Sequence, residues 1–245
     1  MIDTILFDLD GTLARYRHDD FVNTYFSELG KNFAKLGLDP KVAIKGVWAG
    51  TKAMLQNDGS ELNTKRFWDA FAAFMEIDGE QLKAIEESCD RFYSNEFNVA
   101  ESLVQHSDVP ARIVRELTKR GYDVVLATNP VFPPCALDSR LAWIGLTQDD
   151  FKYTTHYENS SFCKPHPQYY MEVLSKISKT PEQCLMVGNH PSEDMCVQAL
   201  GMSVYLITDF LENEAGIDIN NFPHGTIEDM EAYLLAKCLP LNTDH

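Results

Sequence analysis

The stretch Phe7-Asp8-Leu9-Asp10-Gly11-Thr12, FDLDGT, decides the reading of this chain of 245 residues. Apolar residues at Ile2, Ile5, Leu6, Phe7 and Leu9 suggest a buried strand, and Gly11 suggests where it stops. Side chains two apart on a strand point to one face. Asp8 and Asp10 straddle the strand end, so both can reach one crevice beyond its carboxyl edge. Open parallel sheets bind their ligands in that crevice.

Further along, the grammar differs from one half to the other. Residues 21–97 read as successive helices. FVNTYFSELGKNFAKLG repeats apolar residues at spacings of three and four and closes on Gly37, and PKVAIKGVWAGTKAML opens on Pro40. TKRFWDAFAAFM and GEQLKAIEESCDRFY keep the same period. From Asp108, a plausible cap, helices alternate with short β-branched runs: YDVVLATN, CLMVGN and SVYLIT. That alternation indicates parallel βαβ units. Thr226 and Asp229 form a capping pair that opens a last helix to about Lys237. The expected fold is α/β: a Rossmann-like parallel sheet core flanked by helices, at 1–14 and 105–245, with an all-helical insertion at 15–104. Leaving the core directly after Asp8 and Asp10, the insertion should lie over the crevice as a lid.

Bulk composition narrows the partners. Hydrophobic content of 44% suits a proper core, and a formal net charge of −16 argues against nucleic acid and anionic membranes. No apolar run reaches the length of a membrane span, and the first residues lack a basic start followed by an apolar signal core. Six scattered cysteines without a CxxC pair read as reduced thiols. A cytoplasmic protein, monomeric or homodimeric, that handles a small metabolite is expected.

Three later polar spots fall at the same kind of place as the aspartates. Thr128-Asn129 ends VVLAT, Lys164 precedes a helix expected near Pro167, and Gly188-Asn189 ends CLMV with Glu193-Asp194 following. Carboxylates, a hydroxyl, an amide and one lysine suit phosphoryl transfer. One carboxylate can attack phosphorus while the other protonates the leaving alkoxide and later takes a proton from water. The spread negative charge of the transferred group calls for a lysine, amides and a divalent cation. Mg2+ fits, because it keeps waters and needs few protein oxygens.

DLDGT at 8–12, ATN at 127–129, CKPHP at 163–167 and VGNHPSED at 187–194 resemble, in order, the four motifs of the haloacid dehalogenase superfamily. The helical insertion resembles that superfamily's first-type cap. By position, the resemblance implies that Asp8 is the nucleophile and Asp10 the general acid/base, with Thr128 and Lys164 completing the catalytic set. Gly11, Thr128, Asn129 and Lys164 would bind the phosphoryl group. The metal, Mg2+, would be held by Asp8, the Asp10 carbonyl, Asn189 and Asp194. Where the family usually has Gly-Asp, this chain has Gly188-Asn189, an oxygen ligand without charge.

The leading expectation is a Mg2+-dependent phosphatase that hydrolyses a small phosphomonoester through an aspartyl-phosphate. A sugar-phosphate phosphomutase and a non-catalytic binding member are the alternatives. Dehalogenation is disfavoured by Asp10. The aromatic residues of the insertion (Phe21, Tyr25, Trp48, Phe67, Trp68 and Phe71 among them) read as its core rather than as a substrate box. Arg15 and Arg17 stand where a second anion of the substrate could be met, and Lys45, Trp48 and Lys52 recur on one helical face.

Overall fold

A computed structural model describes residues 1–241. Six strands form one parallel sheet: β1 (Thr4–Phe7), β2 (Asp123–Leu126), β3 (Tyr153–Thr154), β4 (Cys184–Gly188), β5 (Ser203–Ile207) and β6 (His224–Gly225), in the order β3-β2-β1-β4-β5-β6. The first strand is therefore central, with β2 on one side and β4 on the other. All residues of β1 and β4 are buried, as expected for strands covered on both faces.

The period of two divides the sheet between two cores. Ile5, Phe7, Val124, Leu126, Leu185 and Val187 face helices α5 (Val109–Lys119), α6 (Pro134–Ala142) and α8 (Ile227–Lys237). Leu6, Val125, Met186, Val204 and Leu206 face α7 (Pro167–Ile177). The sequence expectation of an α/β parallel sheet flanked by helices holds.

Between β1 and β2 the chain makes α1 (His18–Lys35), α2 (Pro40–Leu55), α3 (Asn63–Met75) and α4 (Gly79–Ser94), then a 3-10 segment at Glu96–Leu103. Local signals set their ends. The Asp39 carboxylate accepts from the N–H groups of Lys41 and Val42 ahead of α2, with Pro40 in its first turn. Asp78 and Gln81 form a capping box on α4, as Thr226 and Asp229 do on α8. The outgoing and returning connections run side by side: Gln105 N–H donates to Arg15 O at 2.7 Å. The insertion is tied to α6, where Ser139 Oγ donates to Tyr93 O at 2.9 Å and Trp143 Nε1 to Asn98 Oδ1 at 2.8 Å.

Three details differ from the sequence reading. The two-residue strands β3 and β6 carry no periodic signal and complete the sheet by register alone. Helix α1 opens at His18, a turn ahead of Phe21. Asp108 stands at the start of α5, but its carboxylate binds Arg112 Nη1 at 2.5 Å instead of capping the helix. Among the described residues no helix is long and apolar enough to cross a membrane.

Candidate active site

Strand register brings the motifs to one edge. Phe7 pairs with Leu126 and with Val187, so the residues just beyond each strand end (Asp8, Thr128 and Asn189) stand side by side. The ladder continues past the strands: Ala127 N–H donates to Phe7 O at 2.7 Å and Asp8 N–H to Val187 O at 2.9 Å. At Gly11 the backbone takes φ +76, and a Cβ there would lie 2.2 Å from Asn189 Nδ2. Glycine is thus required both by the turn and by the approach of Asn189. A Cβ on Gly188 would lie 2.2 Å from Asp194 Oδ2, so this glycine lets the Asp194 carboxylate press against the end of β4.

Lys164 is the centre of the charge arrangement. It is 2% exposed, and its Nζ donates to Asp8 Oδ1 at 2.8 Å and to Asp194 Oδ1 at 2.6 Å. Asp194 Oδ2 accepts the His190 N–H at 3.0 Å. Both oxygens of Asp194 are therefore engaged by the protein. Burial lowers the affinity of Lys164 for its proton, but the Asp194 and Asp8 carboxylates outweigh it, so the ammonium is retained well above its ordinary pKa.

Asp8 Oδ2 and Asn189 Oδ1 both face the Thr12 hydroxyl, each at 3.2 Å. That hydroxyl is shared loosely, at distances longer than an ordinary O–H···O bond. Burial, against the pull of Lys164 and with Asp194 and Asp10 adding to it, pushes the Asp8 carboxyl up to about 8. Lys164 is shared between Asp8 and Asp194, and Asp10 has Arg140, so the three carboxylates face two cations.

Mg2+ fits this donor set. Hard oxygens converge from Asp8 and Asn189, the local charge is too negative, and such an ion takes one or two carboxylates with substrate oxygens and waters. Among the described residues no group of three His, Cys, Asp or Glu side chains is placed to hold a metal ion by itself.

Asn189 brings no charge, but Glu212 stands beside it: Asn189 Nδ2 donates to Phe210 O at 2.7 Å and to Glu212 Oε1 at 3.3 Å. Burial raises the pKa of Glu212. Asn129 Nδ2 reaches Glu193 Oε2 at 3.3 Å, and the Thr128 carbonyl accepts from Thr155 Oγ1 and Tyr169 OH at 2.7 and 2.8 Å. These bonds fix the strand-end turn at β2.

Asp10 has partners that the sequence did not reveal. Its carboxylate accepts from Tyr16 OH and, at 2.6 Å, from Arg140 Nη1 on α6. Arg140 is 1% exposed and lies 4.5 Å from the centre of the Phe132 ring. Burial holds Tyr16 as a neutral phenol, its pKa well above the ordinary value. No spacing rule connects residues 130 positions apart; a lone arginine amid the apolar residues of a helix was the available signal. Arg15, read as a contact for a second anion, is instead paired with Asp209 at 3.0 Å. Lys45 and Lys52 are exposed to solvent. The Cys163 thiol is pushed up to about 12 by burial and accepts from Asn63 Nδ2, so it is no nucleophile at neutral pH.

A cavity of about 320 Å³ opens over Asp8, Asp10, Thr128, Asn129 and Asn189 and extends between the inserted helices. Phe21, Tyr25, Phe33, Trp48, Phe67, Trp68 and Phe71 of the insertion all line it. The expectation that they are core alone is corrected. Phe21, Tyr25, Phe33 and Phe71 are buried and form cavity wall as well.

A sheet whose carboxyl edge carries two aspartates, a threonine and a buried lysine, with helices inserted after the first strand, defines a hydrolase class that comparison bears out. The family model for haloacid dehalogenase-like hydrolases matches residues 2–195. The chain belongs to the haloacid dehalogenase-like hydrolases. It is similar to the pyrophosphatase PpaX of Bacillus mycoides (strain KBAB4), at 21% identity over 220 residues, covering 89% of this chain and 88% of that protein. Among solved structures it resembles the 2-haloacid dehalogenase of Pseudomonas syringae pv. Tomato DC3000 at 20% identity, with a TM-score of 0.62 and coverage of 97% and 99%. The HAD phosphatase of Thermococcus onnurineus is similar at 16% identity, with a TM-score of 0.58 and coverage of 98% and 100%. These structural likenesses concern the fold.

Proposed function

We propose that the chain is a Mg2+-dependent phosphatase that hydrolyses a small phosphomonoester through an aspartyl-phosphate on Asp8. One observation carries the reading: Asp8 is held by the buried Lys164, and Asp10 lines the same cavity two residues on. Asp8 Oδ attacks phosphorus; the P–O ester bond breaks, and its electron pair leaves on the alkoxide, which takes a proton from Asp10. Water then attacks phosphorus, gives its proton to Asp10, and the Asp8–phosphorus bond breaks to release inorganic phosphate. Lys164 neutralises charge on Asp8 and on the transferred group, and Asp194 positions Lys164. Gly11, Thr128 and Asn129 contact the phosphoryl oxygens. Asp8, the Asp10 carbonyl, Asn189 and Asp194 would hold Mg2+, which when bound screens the repulsion between carboxylate and phosphate.

In this reading residues 1–14 and 105–245 are the catalytic core and 15–104 are a cap. A cytoplasmic monomer or homodimer acting on a phosphorylated metabolite completes the reading. A phosphomutase must hold a second phosphate, and among the described residues no lysine or arginine lines the cavity. The test is phosphate release from an aryl phosphate and small phosphomonoesters, with and without Mg2+, by wild type and Asp8→Asn. Release that needs Mg2+ and is lost in the variant is expected. Equal release by Asp8→Asn would overturn the reading.

A further inference from the structure

We infer that the substrate, if the phosphatase reading holds, is the phosphate ester of an apolar alcohol, one whose leaving group is a hydrocarbon chain or ring without a second anion. The cavity that contains Asp8 also has walls of aromatic and aliphatic side chains from α1, α2 and α3. Its volume of about 320 Å³ lies at the lower end of what small-ligand sites require. It has a polar end, at the β-strand edge, and an apolar end, where Phe26 packs on Trp48 at 5.1 Å and Phe67 on Trp68 at 4.9 Å.

Charge excludes the alternative. The lining includes Asp8, Asp10, Glu193, Asp194 and Glu212 but, among the described residues, no lysine or arginine. The two histidines in the lining, His18 and His190, lie near enough to the Glu212 carboxylate to weaken its hold on a proton, and His190 also lies 3.8 Å from Glu214. Arg15, the nearest candidate in sequence for a second anion, is taken by Asp209. Lys164 is spent on Asp8 and Asp194. A carboxylate or second phosphate on the substrate would enter among five carboxylates with no lysine or arginine of the described lining to meet it, at a cost in repulsion and desolvation. A hydrocarbon would instead lose water on entering, at a gain of about fourfold in binding per methylene.

The test uses the intact enzyme with Mg2+ and an n-alkyl series (ethyl, butyl and hexyl phosphate) whose alcohols differ little in acidity. Phosphoglycolate and pyrophosphate, each with a second anionic group, are the comparisons. Expected is a kcat/KM for hexyl phosphate on the order of a hundredfold above ethyl phosphate, with both of these compounds below ethyl. Equal values for ethyl and hexyl, or a preference for phosphoglycolate or pyrophosphate, would overturn the inference. If no ester is hydrolysed, the phosphatase reading fails, and calorimetry with hexylphosphonate and methylphosphonate still decides on the cavity. Tighter binding of hexylphosphonate supports it, while equal or absent binding refutes it. Trp48 is half exposed, which makes Trp48→Arg a substitution the fold should tolerate. It should raise the phosphoglycolate-to-hexyl ratio at least tenfold; an unchanged ratio counts against the assignment. Trp68→Ala should lower the hexyl-to-ethyl ratio, and an unchanged ratio there counts against it too.

Discussion

Asp8 holds its proton more tightly in the folded protein than in the unfolded chain, because burial and two neighbouring carboxylates outweigh Lys164. Between the ordinary carboxylate value of about 4 and about 8, the folded state carries the extra proton. The contribution of Asp8 to stability therefore falls as pH rises through that window and levels off above it. In cation-free buffer, Asp8→Asn should melt at the wild-type temperature near pH 4 and several degrees higher near pH 8. Added Mg2+ should narrow the gap. A gap that does not vary with pH would contradict the account. Arg140 invites a second test. Arg140→Met leaves Asp10 without its cation, so turnover of alkyl phosphates, whose leaving groups need a proton, should fall tenfold or more beyond any loss with p-nitrophenyl phosphate. Equal losses on both would make Arg140 merely structural. At this scale the sequence was partly legible. Asp8, Asp10, Thr128, Lys164 and Asn189 stand in local motifs, and the structure gathers them at one sheet edge. Arg140, Tyr16 and Glu212 reach the site through tertiary packing, which no spacing encodes.

Elements place these side chains through turns as much as through strands. Gly11→Ala would force a Cβ onto a backbone at φ +76 and into Asn189 Nδ2. A loss of at least about 1 kcal/mol in stability is expected, together with a larger loss of activity, since Asn189 would move off Phe210 and Glu212. Chemical denaturation and kinetics of the same variant check it; wild-type values in both would contradict it. The helices were legible because apolar residues recur with the helical period and caps mark the ends, as at Asp78-Gln81 and Thr226-Asp229. Strands β3 and β6 were not, because two residues cannot display a period and their pairing depends on β2 and β5. The insertion aromatics were misjudged for a related reason. Helical spacing tells which face is apolar, but a face that packs on protein and a face that lines a cavity have the same pattern.

Over the whole molecule, a net charge of −16 surrounds a site that must receive an anion. Repulsion between the two should slow encounter, and salt should relieve it. Raising ionic strength from 20 to 200 mM (on the order of the range in which screening changes most) should increase kcat/KM for a phosphate ester several-fold while leaving kcat nearly constant. A fall in kcat/KM would mean that a positive approach path exists despite the global field. The inserted helices and the sheet edge share one cavity, so in the proposed mechanism recognition of the leaving group and attack on phosphorus would fall to different parts of the chain.

The central claim is that Asp8 becomes phosphorylated, and the most direct measurement is acid quenching of the enzyme during turnover of hexyl phosphate with Mg2+, followed by peptide mapping. The account predicts the mass of one phosphoryl group on the peptide that contains Asp8, and none in Asp8→Asn. Phosphate release by wild type with no modified peptide at any quench time, or with the modification on another residue, would contradict it.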